Sequence, residues 1–130
     1  MPSFAVRPTG GATVVHARGE LDSASAGAMR SALTQAAEAG EPMLLVDMAD
    51  VDFLDSAGLA VLVTTQRALR PGRCLALYNV PPRMQRMLTV AGMEQVMQIH
   101  NAGDAWPFPD VLAPPETDAG PPVPASDITT

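Results

Sequence analysis

Apolar positions along the chain fall into short runs with strand character, separated by stretches with a helical period. Residues 4–7 read as a short edge strand closed by Pro8 and the Gly10-Gly11 turn. Residues 12–18, centred on Val14 and Val15, read as a second strand, and the two can pair as a hairpin. Residues 24–39 are alanine-rich, and Met29 and Leu33 continue into Ala36 and Ala37 as one helical stripe. Asp22, Ser23 and Ser25 are candidate caps at its start, and Gly40 closes its end. Residues 43–46 form a continuous apolar run, the pattern of a central strand buried on both faces. After an aspartate-rich loop, residues 56–69 predict a helix. Its inner face carries Leu59, Leu62, Val63 and Leu69, while Val61, Thr64, Thr65 and Ala68 form a weakly charged outward face suited to docking.

Residues 73–78 predict another strand. Pro81 and Pro82 open a helix carrying Met84, Met87, Leu88 and Ala91, with Gly92 as its stop. Methionine at that spacing is core material, as it is at Met93 and Met97. Residues 95–99 make a last strand and residues 102–106 a final turn of helix. The order β-β-α-β-α-β-α-β implies right-handed crossovers, an α/β domain and a mostly parallel or mixed sheet with helices packed on it.

Composition changes this picture at one end. From Trp106 onward come Pro107, Pro109, Pro114, Pro115, Pro121, Pro122 and Pro124, more than half of the chain's 13 prolines, with no hydrophobic period between them. Such a segment buries too little apolar surface to offset its ordering entropy. The expected organisation is one folded domain over residues 1–108 and a disordered proline-rich tail over 109–130. With 47% hydrophobic and 17% charged residues, the chain has a globular composition.

The net charge is −6 and every basic residue is arginine, with no basic stripe of the kind that neutralises several phosphates, so nucleic acid is not an expected partner. The single cysteine, Cys74, lies in an apolar run and reads as a buried, inert thiol. The first residues lack a signal-peptide pattern and no apolar run has the length of a membrane span, which predicts a cytoplasmic protein without a membrane partner.

Chemistry concentrates in Asp47-Met-Ala-Asp-Val-Asp-Phe-Leu-Asp-Ser-Ala-Gly-Leu59, where a buried strand leads to Ser56 at the start of a helix. In one reading Ser56 is an N-cap, worth about 1 kcal/mol. In the other it is a phosphorylation site: a helix N-terminus accommodates phosphate, and Ala57 and Gly58 are small enough to let a kinase approach. The phosphate would sit near Asp50, Asp52 and Asp55 in a chain without lysine, an arrangement that repels a partner. A nucleophilic serine is a weaker reading. The Gly-x-Ser-x-Gly elbow is missing, and neither His16, in a strand, nor His100, read as a solvated loop residue, has an orienting carboxylate nearby in sequence. No histidines or cysteines have metal-ligand spacing and there is no phosphate loop, so the expectation is a protein without enzymatic activity, metal or cofactor.

Gly19-Glu-Leu-Asp22 after the early strand and Phe53-Leu-Asp-Ser-Ala-Gly-Leu59 at the helix start resemble the signature elements of STAS domains, and the element order is also that family's. The resemblance covers about residues 4–106 and is nearest to the stand-alone anti-sigma factor antagonists of bacteria. It implies that the unphosphorylated form binds an anti-sigma factor with serine-kinase activity, freeing the sigma factor. Phosphorylation of Ser56 then breaks the complex, and a metal-dependent serine/threonine phosphatase resets it. By the same resemblance, Asp55 contributes to kinase recognition or orients the hydroxyl, and Asp22 lies where partner contacts are expected. Each aspartate also has a plain structural reading, as a cap or a dipole partner. The alternative is a STAS adaptor that is never phosphorylated and serves a signalling or transport assembly.

Overall fold

The computed structural model describes residues 2–113. The elements are β1 (Ser3–Thr9), β2 (Ala12–Leu21), α1 (Ala26–Glu38), β3 (Met43–Leu54), α2 (Ser56–Ala68), β4 (Cys74–Val80), α3 (Pro82–Val90), a 3-10 turn (Met93–Gln95) and β5 (Gln98–Asn101). The predicted order of strands and helices is therefore the observed one. The five strands lie side by side in chain order. β1 pairs antiparallel with β2, and every later pairing is parallel. Pro8 falls inside β1 instead of closing it, which an edge strand tolerates because its missing N–H removes no interior ladder bond.

Period-2 alternation divides the sheet's side chains between two clusters. Val15, Ala17, Leu44, Val46, Leu75 and Leu77 face the three helices and pack with Met29, Leu33, Leu62, Met84 and Leu88. Ala12, Val14, Leu45, Ala76 and Tyr78 face the other way, where no helix among the described residues covers them. Their cover is the segment after β5: Phe108 and Val111 are buried and Trp106 packs beside them. Trp106 meets Tyr78 edge-on at 5.6 Å and donates its indole N–H to the Val111 carbonyl at 2.9 Å. Leu112 N–H then donates to the Gly10 carbonyl at 3.0 Å, tying the segment to the β1–β2 turn.

Several expectations change accordingly. Residues 102–106 form a turn followed by irregular chain, not a helical turn. Residues 109–112 belong to the folded unit despite Pro109, because Val111 and the preceding aromatics have apolar sheet surface to bury; residues 114–130 of the expected tail lie outside the described residues. His100 is not a solvated loop residue but a half-buried member of β5, edge-on to Phe108 at 5.0 Å. Cys74 is half-buried, with Sγ 3.2 Å from Met43 Sδ, and desolvation pushes its thiol pKa up. Met84, Met93 and Met97 are core residues, as their spacing predicts.

The largest difference is β3. Its 12 residues run through the aspartates that read as a loop, with Met48, Val51 and Leu54 carrying the core contacts. The β2–β3 register shifts twice, between His16 and Arg18 and between Gly19 and Glu20. Gly19 takes φ 92° at the second shift, a backbone state glycine adopts without steric cost. These irregularities carry β2 and β3 to a common end, where Leu21 pairs with Leu54.

Candidate functional site

The site forms where β2 and β3 finish side by side. Asp55 N–H donates to the Leu21 carbonyl at 3.1 Å, so the chain leaving β3 is fastened to the end of β2. Asp55 then caps α2: its Oδ1 accepts from Ala57 N at 2.9 Å and from Gly58 N at 3.1 Å. Gly58 lies against the same β2 end. A Cβ there would sit 2.5 Å from the Leu21 oxygen and 2.6 Å from Leu54 Cδ1, so only glycine permits this approach. On the β2 side, Ser25 is buried, donates from Oγ to the Glu20 carbonyl at 2.7 Å and accepts from Asp22 N at 3.0 Å. Ser25 N in turn donates to Asp22 Oδ1 at 3.1 Å. Two braced turns thus stand next to each other, and Ser56, the first residue of α2, projects from one of them into solvent.

Over residues 4–99 the chain matches the family model described as "Mlab, STAS domain". This chain belongs to the STAS family. The family consists of regulatory domains without enzymatic activity. Among curated STAS relatives, an anti-sigma-B factor antagonist of Bacillus subtilis is 34% identical over 86 residues, 65% of this chain and 78% of that protein. The anti-sigma-F factor antagonist RsfA of Mycobacterium tuberculosis is 31% identical over 93 residues, 68% of this chain and 72% of that one. The crystal structure of an anti-sigma factor antagonist from Mycobacterium paratuberculosis superposes with a TM-score of 0.72 at 25% identity, covering 77% of this chain and 86% of that chain.

Within this STAS domain the sequence-predicted residues separate into three groups. Asp22, Asp55, Ser56 and Ala57 come together at the β2–β3 end, with Asp22 half-buried in its bracket with Ser25. Ser56 is not the cap of α2. Asp55 occupies that position and takes both first-turn N–H groups, and among the described residues the Ser56 hydroxyl has no hydrogen-bond partner. The neighbourhood expected for a phosphate changes too, because Asp50 and Asp52 are strand residues and only Asp55 shares the helix turn with Ser56.

Gly58 and Val61 do not face outward. Gly58 is buried against β2, and Val61 is 1% exposed because α2 packs on α1 as well as on the sheet, which buries a wider arc than one stripe. Thr64 and Thr65 line a groove between α1 and α2 with a volume of about 650 Å³, next to Arg30, Thr34, Ala68 and Arg70. Thr65 Oγ1 is already used, donating to the Val61 carbonyl at 2.8 Å.

Sequence reasoning missed four participants. Phe53 is 51% exposed one residue before the fastened strand end, a large apolar surface three residues ahead of Ser56 in the chain. Ser25 reads as one of three cap candidates but serves as the buried pin of the Asp22 turn. His16, without an orienting carboxylate nearby in sequence, has two in the fold: Nδ1 is 2.9 Å from Asp47 Oδ2 and Nε2 2.8 Å from Asp50 Oδ2. Asp47 is fully buried, and its Oδ1 accepts from Ala49 N at 3.0 Å and Asn79 Nδ2 at 3.1 Å. The hydrogen bond to Asp47 raises the His16 pKa above 6.5 against the opposing effect of burial, and Asp50 adds to the rise. Among the described residues no cluster of side chains has the makings of a metal site, and no helix is long and apolar enough to cross a membrane.

Proposed function

We propose that this domain is an anti-sigma factor antagonist whose unphosphorylated form binds an anti-sigma factor with serine-kinase activity and is released when that kinase phosphorylates Ser56. The observation that carries the reading is the state of Ser56 itself: exposed, first in α2, with its hydroxyl uncommitted while Asp55 does the capping. A hydroxyl with no structural duty is available to a kinase without any unfolding. Its Oγ would attack the γ-phosphorus of ATP and lose its proton, leaving phosphoserine and ADP. The names of the curated relatives support the choice of partner.

The charge balance supports release. Asp55 already holds the Ala57 and Gly58 N–H groups, so a phosphate on Ser56 finds them occupied. Arg83 lies 3.6 Å from Asp52 and donates to the Val51 carbonyl, and the chain has no lysine. The added charge of about −1.5 to −2 is therefore left facing the partner. Like-charge contact at an interface costs several kcal/mol, and about 3 kcal/mol corresponds to roughly a hundredfold loss of affinity. A serine/threonine phosphatase that hydrolyses the phosphoserine restores binding.

The test is intact-mass and peptide mapping after incubation with ATP and candidate anti-sigma kinases, beside binding of the Ser56 variants. Ser56→Ala is expected to take no phosphate, bind, and stay bound; Ser56→Asp and Ser56→Glu are expected to bind weakly. Stable binding to a candidate with no phosphate on Ser56 would instead identify an unphosphorylated STAS adaptor.

A further inference from the structure

The His16 contacts impose a chemical condition. A neutral imidazole has one N–H and one lone pair, so it can donate to only one carboxylate. Here both ring nitrogens face carboxylate oxygens, at 2.9 Å and 2.8 Å, and only the imidazolium donates to both. The remaining groups around the ring do not supply an alternative cation. From β1, Arg7 lies level with Val14, two residues along the strand from His16; on β2 itself, Arg18 lies beyond the bulge. Neither is within 4.0 Å of a carboxylate among the described residues. From β4, Tyr78 is level with Asp47, its hydroxyl buried and without a hydrogen-bond partner among the described residues, and Asn79 contributes a neutral amide.

The position of this staple gives it leverage. His16 is the last residue before the first β2–β3 register shift, and its two carboxylates lie on either side of that shift, Asp47 before it and Asp50 after it. Beyond it the strands run together to the Leu21–Leu54 pair, the Asp55 hydrogen bond and Ser56. We propose that His16 is a positioning residue: its imidazolium staples β3 to β2 across the bulge and sets the strand ends that carry Asp22, Asp55 and Ser56, so partner binding weakens when the ring loses its proton. The partner clause rests on the function proposed above, whereas the staple and its effect on the strand ends do not.

The experiment is an NMR titration of the full chain that follows the His16 ring, assigned with His16→Gln, together with the backbone amides of residues 50–58. The expected result is a ring midpoint above 6.5, with the amides from Leu54 to Gly58 moving at the same midpoint. In Asp50→Asn both midpoints fall together, which links the strand response to the staple and keeps the test available if His16→Gln folds poorly. In the same window, affinity of the unphosphorylated protein for its anti-sigma partner falls about fivefold in wild type and stays level in His16→Gln. A ring midpoint at or below 6.5 overturns the staple, and amides at Leu54 to Gly58 that ignore the titration overturn the positioning role. If the amides follow the ring but no anti-sigma partner binds at any pH, the partner clause falls with the proposed function and the positioning role stands.

Discussion

Replacing Gly58 by alanine tests the close approach on which the site depends. In an ordinary helical position Gly→Ala stabilises, by about 0.5–1 kcal/mol, because it removes backbone freedom from the unfolded chain. At Gly58 the added methyl would lie 2.5 Å from the Leu21 oxygen and 2.6 Å from Leu54 Cδ1. The leucine side chain can rotate away, but the carbonyl belongs to a paired strand and cannot yield without moving α2. Overpacking of this kind costs about 1–3 kcal/mol. Shifting α2 also strains the 3.1 Å bond from Asp55 N to Leu21 O, worth about 1 kcal/mol. Setting the propensity gain against these costs leaves Gly58→Ala about 2 kcal/mol less stable, a fall in Tm of about 10 °C for a domain of this size. Gly27 supplies the control: it is exposed in α1 with nothing within 4 Å of the added methyl. Urea denaturation at constant m should show Gly58→Ala losing stability and Gly27→Ala gaining about 0.5 kcal/mol. Equal gains in both variants would refute the argument, because they would mean that the helix start does not press on β2.

Asp55→Ala removes the cap of α2 and should cost about 1 kcal/mol, while Ser56→Ala should leave the urea midpoint within about 0.5 kcal/mol of wild type; the reverse order would return the cap to Ser56. His16 makes stability depend on pH. Its folded pKa is raised, so its contribution is complete below the unfolded value of about 6.5 and is lost as pH rises through the folded value. Wild type should therefore show a falling denaturation midpoint across that window that His16→Gln lacks. Phe108→Ala strips cover from Leu45 and Ala76; a loss of about 3 kcal/mol with a red shift of Trp106 emission is expected, and an unchanged midpoint would return residues 109–112 to the tail.

Local patterns in the sequence foretold the five strands and the three α-helices, but not the 3-10 turn at Met93–Gln95. The Met29–Leu33 stripe gives α1, the Leu44–Val46 run gives the core of β3, and Pro82 opens α3. What stayed hidden depends on register. Asp47 and Asp50 are 31 and 34 residues from His16, and only the parallel pairing of β2 with β3 places all three together. Aspartates are poor strand formers, so residues 47–54 read as loop although Met48, Val51 and Leu54 bury their side chains. Val61 reads as outward-facing from its helical phase relative to the sheet, but α1 buries a second side of α2. The cover on the second sheet face was obscured by proline content: Trp106, Phe108 and Val111 form no period, and their binding surface is built from three different strands.

The separation of Asp55 from Ser56 yields a prediction in which stability and affinity move in opposite directions. Because Asp55 is the cap, the residue at 56 can change without undoing the start of α2. Ser56→Asp places a carboxylate at the positive end of the helix dipole, an effect worth about 0.3–1 kcal/mol at an exposed site, less what the adjacent Asp55 charge takes back. The variant should therefore be at least as stable as wild type. Its affinity for an anti-sigma partner should nonetheless fall, by less than phosphorylation causes, because one charge replaces about −1.5 to −2. Measuring the urea midpoint and the partner Kd on the same preparation separates the causes. Weaker binding with undiminished stability places the effect at the interface, where a phosphate would act. If stability and affinity fell together, the weakened binding would report a damaged helix start, and the repulsive switch would lose its support.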